Sequence, residues 1–165
     1  MNNKKLTFSA LLIALGTMTG HLIYIPVGVA KAFPVQHLIN ILSAVLLGPA
    51  YAVWNAFAIS LLRNMLGTGS LLAFPGSMIG ALLAGIFYQK FKNQLWAIGG
   101  EVFGTGILGA VAAYPIARLL MGSSAGVFFF VIPFSLSTAG GAVIAYLFLK
   151  AVAEAESLNF IDELN

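Results

Sequence analysis

The side chains best able to do chemistry in this sequence are a few polar groups set singly within long apolar runs. The first is Glu101, the only acidic residue between Met1 and Ala153, which lies about two helical turns inside a predicted helix. A carboxyl group there needs a partner because an isolated charge in an apolar medium is costly. The partner could be His37, an amide such as that of Asn55, a cationic ligand or a proton. The group could contact a ligand or make a structural hydrogen bond.

A second group of polar residues collects toward one end of the predicted helices. His37 and Asn40 are three residues apart, so they share a helix face, with Gln36 beside them. They could hydrogen-bond a small polar ligand, or they could cap the helix or bond to each other. Arg63 and Asn64 end the third predicted helix, and Arg63 could contact a ligand or extend its charged group to the membrane surface.

Further candidates fall at the same end of the predicted helices. The segment Gly67-Thr68-Gly69-Ser70 predicts a flexible loop, and Phe74 and Ser77 follow it at the start of the fourth helix. Tyr114 and Arg118 lie near the end of the fifth helix. We therefore expect an aromatic ring, small polar groups and a loop to adjoin one another at one side of a helical bundle.

The sequence lacks the residues that ATP hydrolysis, several kinds of catalysis and metal binding require. The sequence has no P-loop, no Gly-x-Ser-x-Gly elbow and no His-Glu-x-x-His motif. It has no cysteine, and its two histidines, His21 and His37, lie far apart in the sequence, so no metal site or cofactor is expected. The prediction is a protein that is not an enzyme and does not itself hydrolyse ATP.

The elements that must position these groups are transmembrane helices. The chain is 60% hydrophobic and 8% charged, with a mean hydropathy of +0.98, whereas a soluble domain is about a quarter charged. Since a membrane-spanning helix needs about 20 apolar residues, 165 residues leave room for about six. The predicted fold is all-α, one transmembrane domain over 1–165 with an acidic tail at 151–165. Its helices are 6–29, 35–47, 50–66, 71–88, 95–119 and 126–149.

The second and third predicted helices are short and are separated only by Gly48-Pro49. Proline stops or kinks a helix, so this stretch could be one bent element, but we favour two helices joined by a tight turn. An even number of spans puts both termini on one side, and the positive-inside bias makes that side the cytoplasm. Five basic residues then lie inside (Lys4, Lys5, Lys90, Lys92, Lys150) and three outside (Lys31, Arg63, Arg118).

Small residues recur at a spacing of four, which lets helix backbones approach closely in lipid. Internal packing explains most of these ladders. Ala10 and Ala14, in the inner half of the first helix, could also dock the helix of a partner. The ladders are Ala52, Ala56 and Ser60; Gly76, Gly80 and Ala84; Ser77, Ala81 and Gly85; and Thr105, Gly109, Ala113 and Ala117.

The order of these motifs resembles a known family. Phe33-Pro34-x-Gln36-His37-x-x-Asn40, then Leu47-Gly48-Pro49, then the stretch from Arg63-Asn64 through Gly67-Thr68-Gly69-Ser70 to Phe74-Pro75-Gly76-Ser77, is similar to the ThiW family. An Ala-x-x-x-Ala in the first of six helices also resembles the S components of energy-coupling factor (ECF) vitamin transporters.

The resemblance implies a subunit that captures a thiamine precursor at its outward face, most simply the hydroxyethylthiazole moiety, in the plasma membrane of a prokaryote. It implies three partners, one T component and two ATPase subunits, with Ala10 and Ala14 matching the motif that contacts the T component. A pocket containing Phe74, Tyr114 or the run Phe128-Phe129-Phe130 would suit a neutral aromatic heterocycle with a hydroxyl group.

Two other functions stay open. A self-sufficient channel or facilitator would need a continuous polar lining along several helices, and the inner halves of these helices are mostly small and apolar. A structural membrane subunit would use the same polar residues only to hold helices together, and no small molecule would stabilise it.

Overall fold

In the computed structural model, residues 3–20, 22, 24–27 and 30–154 are described. They form six helices and one short antiparallel hairpin, in which β1 (Ile25–Val27) pairs with β2 (Ala30–Ala32) so that Ile25 lies opposite Ala32. The helices are α1 (Asn3–Thr19), α2 (Pro34–Leu46), α3 (Pro49–Met65), α4 (Ala73–Phe91), α5 (Gln94–Leu120) and α6 (Val131–Glu154). The all-α bundle predicted from composition is therefore present.

The first helix is shorter than the predicted 6–29. It ends at Thr19, and the chain reaches α2 through the β1–β2 hairpin. Pro26 cannot continue a helix because it has no N–H to donate, and the β-branched residues around it favour extended backbone. The sequence interpretation was wrong here because an apolar run of this length does not by itself distinguish a helix from a helix followed by a hairpin.

The second and third helices are separate. The N–H groups of Leu47 and Gly48 both donate to Ser43 O, at 2.9 and 3.1 Å, and close the end of α2. Gly48 then adopts φ of +91°, a left-handed conformation that a residue with a Cβ rarely adopts, and Pro49 begins α3. The turn is tight because Gly48 adopts a positive φ and Pro49 has the fixed negative φ with which a helix can begin.

The remaining helix ends differ from the predicted ones by a few residues. Lys92 takes a positive φ of 52° after α4, and the Asn93 side chain caps α5 by accepting from Leu95 N at 2.8 Å. A π-helical turn at Gly104–Gly109 interrupts α5. The last helix starts at Val131 rather than at residue 126, and residues 155–165 of the predicted acidic tail lie outside the described part of the chain.

Small residues form the contacts between helices. All members of the four ladders described above are buried. The backbones of α4 and α5 approach so closely that a Cβ at Gly109 would lie 2.6 Å from Gly76 Cα, and one at Gly104 would lie 2.8 Å from Gly80 Cα. Internal packing, the expected role of these ladders, is thus confirmed for all four.

Large apolar side chains lie on the outside of the bundle, an arrangement that suits lipid as the solvent. Trp54 is 68% exposed and Leu119 is 79% exposed, and many Leu and Phe residues are similarly placed. By length and composition, two of the described helices, α5 and α6, could each cross a bilayer. α2 lies at the centre, where it packs against the other five helices and buries every residue except Leu38.

Candidate ligand-binding site

A cavity of about 600 Å³ opens among the ends of the helices. Its volume lies in the range of small-molecule sites, which are mostly apolar with a few polar anchors. Its wall draws on the chain before α2 (Tyr24 and Phe33) and on all the helices from α2 to α6, together with the loops that follow α3 and precede α6. Among the nine predicted binding residues, four line it: Gln36, His37, Arg63 and Ser77.

A hydrogen-bonded cluster around Glu101 supports one wall of the cavity. Glu101 Oε1 lies 2.8 Å from His37 Nδ1, and it accepts from Asn40 Nδ2 at 2.9 Å and from Thr105 Oγ1 at 3.1 Å. Glu101 and Asn40 are fully buried and lie behind the lining, whereas His37 and Thr105 reach the cavity. Of the partners expected for Glu101, the structure has His37 and an amide, which is that of Asn40. Asn55 instead bonds to Ser9 and Ser43.

Neighbouring backbone groups fix the geometry of this cluster. Asn40 Nδ2 also donates to the backbone oxygen of Ser77 at 3.2 Å, and because a carbonyl can only accept, the orientation of the amide is determined. Thr105 lies in the π-helical turn, and its one hydroxyl proton is shared between Gly76 O and Glu101 Oε1, each 3.1 Å from Oγ1. Gly80 leaves the space that the carboxyl group fills, since a Cβ there would lie 2.7 Å from Glu101 Oε2.

A second chain of hydrogen bonds runs along the cavity from α2 to α4. Gln36 Nε2 donates to Ser60 Oγ at 2.9 Å, and Ser60 Oγ lies 3.1 Å from Ser77 Oγ. Ser77 Oγ in turn donates to Ala73 O at 2.7 Å. These groups satisfy one another, so the side chains are held in place before any ligand arrives.

Arg63 links the parts of the chain that surround the opening. It is 1% exposed, donates to the Gln36 side chain, and donates to Thr68 O at 3.0 Å and to Gly20 O at 3.4 Å. Its guanidinium group also stacks on the Phe33 ring at 4.0 Å. The side chain therefore does not extend to the membrane surface, which was one of the two roles considered for it.

The glycine loop is tied to the end of α3. The N–H groups of Thr68 and Gly69 both donate to Arg63 O, at 2.9 and 3.0 Å. Asn64 Nδ2 donates to Ser60 O at 2.8 Å and to Ser70 O at 3.0 Å. Asn64 thus does not line the cavity itself but holds the loop, whose residues 67–70 do line it.

The apolar wall is aromatic. Phe33, Phe129, Phe130 and Phe134 line it, whereas Phe128 is 75% exposed and does not. Ser137 also lines it and accepts from Phe33 N at 2.7 Å. Sequence reasoning missed Thr105, Phe134 and Ser137; the hydroxyl groups of α6, isolated in an apolar run, were the available signal for Ser137.

Two predicted ligand contacts lie elsewhere. The Phe74 ring packs against the Phe57 ring with centroids 5.7 Å apart, and Tyr114 receives a hydrogen bond from Arg118 at 3.2 Å near the surface. Neither residue is among those that line the cavity. Ala10 and Ala14 are both exposed on the outer face of α1.

Comparison with known proteins gives one match. The model of the family described as Thiamine-precursor transporter protein (ThiW) matches residues 6–155, which is most of the chain. No curated protein and no solved structure matches. In the described part of the chain, no group of three or more His, Cys, Asp or Glu side chains could hold a metal ion.

Proposed function

Because the chain belongs to the ThiW family of thiamine-precursor transporters, we propose that it is the substrate-capture (S) subunit of an ECF-type importer and that it binds the hydroxyethylthiazole moiety of thiamine. The family and the two membrane-capable helices indicate a membrane protein that transports a small molecule. The cavity, with its aromatic wall and its few fixed polar groups, is the observation that supports the finer assignment.

The proposed ligand is a flat heteroaromatic ring with one hydroxyl group. The phenylalanine side chains of the wall would cover its faces, since aromatic rings favour stacked or edge-to-face contact. Gln36, His37, Arg63 and Ser77 would provide direct polar contacts because they line the cavity. Three further residues would act indirectly. Glu101 and Asn40 would orient His37, and Asn64 would hold the glycine loop in place.

We further propose that all six helices are embedded in the cell membrane of a prokaryote, with both termini in the cytoplasm and the cavity open to the outside. Five of the eight basic residues fall on the proposed inner side. The 13 residues of α2 would span about 20 Å, less than the hydrocarbon core. Since α2 is surrounded by other helices, it need not cross the lipid by itself.

The exposed face of α1 supports a docking role. The other small-residue ladders are buried between helices, but Ala10 and Ala14 face outward, so internal packing does not account for them. Small residues at a spacing of four let a second helix approach closely. We assign this face to the T component, which would link the chain to two ATPase subunits, because the sequence carries no ATP-binding motif of its own.

Capture is favoured over conduction by what lies behind the cavity. Next to the buried Glu101 cluster, the central core consists largely of apolar side chains, among them Ala44, Ala81, Ala97 and Ala145. A conducting pore would need polar groups or water along its length. A purely structural subunit would not need a cavity with polar groups fixed around it.

The test is thermal unfolding of the purified chain with hydroxyethylthiazole, its phosphate, the pyrimidine precursor and thiamine. A specific ligand at 100 times its dissociation constant stabilises the folded state by about 2.7 kcal/mol. We expect stabilisation by the thiazole compound, a loss of affinity of about tenfold or more in His37→Gln, and unchanged affinity in the control Tyr114→Phe. Stabilisation by none of the four compounds would count against the proposed substrate.

A further inference from the structure

Arg63 places a positive charge at the cavity. Arg63 is almost completely buried and lines the cavity, and its donors reach only carbonyl and amide oxygens. Within the described residues no carboxylate pairs with it. A buried cation without a counter-ion is costly, so an anionic or electron-rich ligand in the cavity would stabilise Arg63.

Glu101 is engaged with other side chains and not with Arg63. His37 Nδ1 and Glu101 Oε1 lie 2.8 Å apart, with Glu101 fully buried behind the lining of the cavity. Asn40 and Thr105 also bond to Glu101 Oε1. Among the described residues, the carboxyl group of the core is therefore not placed to pair with Arg63.

Since Glu101 occupies the Nδ1 side of the His37 ring, the Nε2 edge of the ring is left for the cavity that His37 lines. Arg63 is thus the group at the cavity whose positive charge has no ionic partner among the described side chains.

We propose that Arg63 makes this cavity a charge filter, which accepts neutral or anionic heteroaromatic ligands and rejects azolium cations. A free thiazole offers its ring nitrogen as an acceptor. In thiamine that nitrogen is alkylated and the ring is positively charged, so the ring can accept no hydrogen bond there and is repelled by Arg63. The inference rests on the proposed function where it names the thiazole ring, but the positive charge of the cavity can be measured without any substrate.

The substrate-free test uses the absence of cysteine from the sequence. Ser123 lines the cavity, and Ser124, its neighbour, is exposed and does not line it. Single variants Ser123→Cys and Ser124→Cys, purified in a neutral detergent, are labelled with an anionic and a cationic methanethiosulfonate of similar size. The ratio of the anionic to the cationic rate is expected to be on the order of tenfold higher at position 123 than at 124.

Arg63 variants identify the source of this preference. In the Ser123→Cys background, Arg63→Lys retains the positive charge and should keep the anionic-to-cationic labelling ratio high. Arg63→Gln should lower this ratio to that of Ser124→Cys. Equal ratios at positions 123 and 124, or an excess that Arg63→Gln leaves unchanged, would overturn the proposal. Because the ratio compares two reagents on one variant, a general loosening of the fold affects both rates alike.

The ligand test compares hydroxyethylthiazole with its N-methyl thiazolium derivative and with its 2-methyl derivative, which adds the same methyl group to a carbon without adding charge. We expect the thiazolium to bind at least tenfold more weakly than the 2-methyl compound. If the thiazolium binds as tightly, the filter is refuted while the proposed function stands. If no thiazole compound binds, the proposed substrate is refuted, and the labelling ratio still decides whether the filter exists.

Discussion

Gly80→Ala is the substitution whose effect the structure specifies most closely. Gly80 lies in α4 against α5, and a Cβ at this position would collide with Thr105 Oγ1 and lie 2.7 Å from Glu101 Oε2 and 2.9 Å from Glu101 Cδ. Thr105 cannot turn away without losing its hydrogen bonds to Gly76 O and Glu101. The added methyl group therefore forces the helices apart or breaks the cluster that supports His37.

The magnitude follows from three contributions. Overpacking a core typically costs about 1–3 kcal/mol, and each lost hydrogen bond costs about 0.5–1.5 kcal/mol. Replacing a helical glycine by alanine returns about 1 kcal/mol. We expect a net loss of about 1–5 kcal/mol in the free energy of unfolding; at its midpoint, about 3 kcal/mol, the melting temperature of a chain of this size falls by roughly 6–12 °C. Ligand affinity should fall as well, because Glu101 orients His37.

The matched control is Gly99→Ala. Gly99 is also helical, but a Cβ there meets no atom within 4 Å, so this variant should be neutral or slightly more stable. Thr105→Ala should partly rescue Gly80→Ala by removing the hydroxyl group with which the new Cβ collides. The account is tested by thermal unfolding and ligand titration of the unchanged chain, Gly80→Ala, Gly99→Ala and the double variant Gly80→Ala/Thr105→Ala. If Gly80→Ala and Gly99→Ala have the same melting temperature and bind ligand equally, the close approach of α4 and α5 does not determine the geometry of the site.

Three further predictions concern docking, the loop and the α2–α3 turn. Ala10→Trp and Ala14→Trp should leave the melting temperature and ligand affinity unchanged but abolish ATP-dependent uptake in cells expressing the complete transporter, whereas Leu11→Trp, at another exposed position, should retain uptake. Asn64→Ala removes the hydrogen bonds to Ser60 O and Ser70 O and should weaken ligand binding by about tenfold in titration, with little effect on uptake-complex assembly. Gly48→Ala should lower the melting temperature because φ is +91° there, at a cost of about 1–2 kcal/mol, whereas Gly126→Ala, with no such constraint, should not.

The sequence predicted which helices exist better than it predicted where each helix ends. Gly48-Pro49 marks the turn between α2 and α3 because backbone preferences at these residues are local. The end of α1 at Thr19 was not predicted, since the residues after it are as apolar as the helix, and Pro26 alone does not show where the helix ends or that β1 pairs with β2. Such boundaries depend on contacts between segments, and a local sequence pattern gives no information about those contacts.

The candidate site was predicted in part for a related reason. Glu101 and His37 stand out because an ionisable group in an apolar helix must find a partner, and their pairing follows from that need. Tyr114 and Phe74 were expected at the ligand but do not line the cavity. A membrane helix is apolar on every face, so its sequence does not reveal which face points inward. The π-helical turn at Gly104–Gly109 further shifts the phase of α5 before Tyr114 is reached.

The position of α2 explains why the polar groups of the site can exist at all. Amide and imidazole groups that faced lipid would be costly, but α2, which carries Gln36, His37 and Asn40, is enclosed by the other helices. Small residues bring α4 and α5 close together, and Glu101 of α5 and the backbone oxygen of Ser77 in α4 reach the side chains of α2. Replacing a buried ion pair by well-packed apolar residues of similar volume is often neutral or stabilising in proteins. The presence of Glu101 and His37 in so apolar a core is therefore weak evidence for a role in stability, and it supports the proposed role of this cluster in ligand binding.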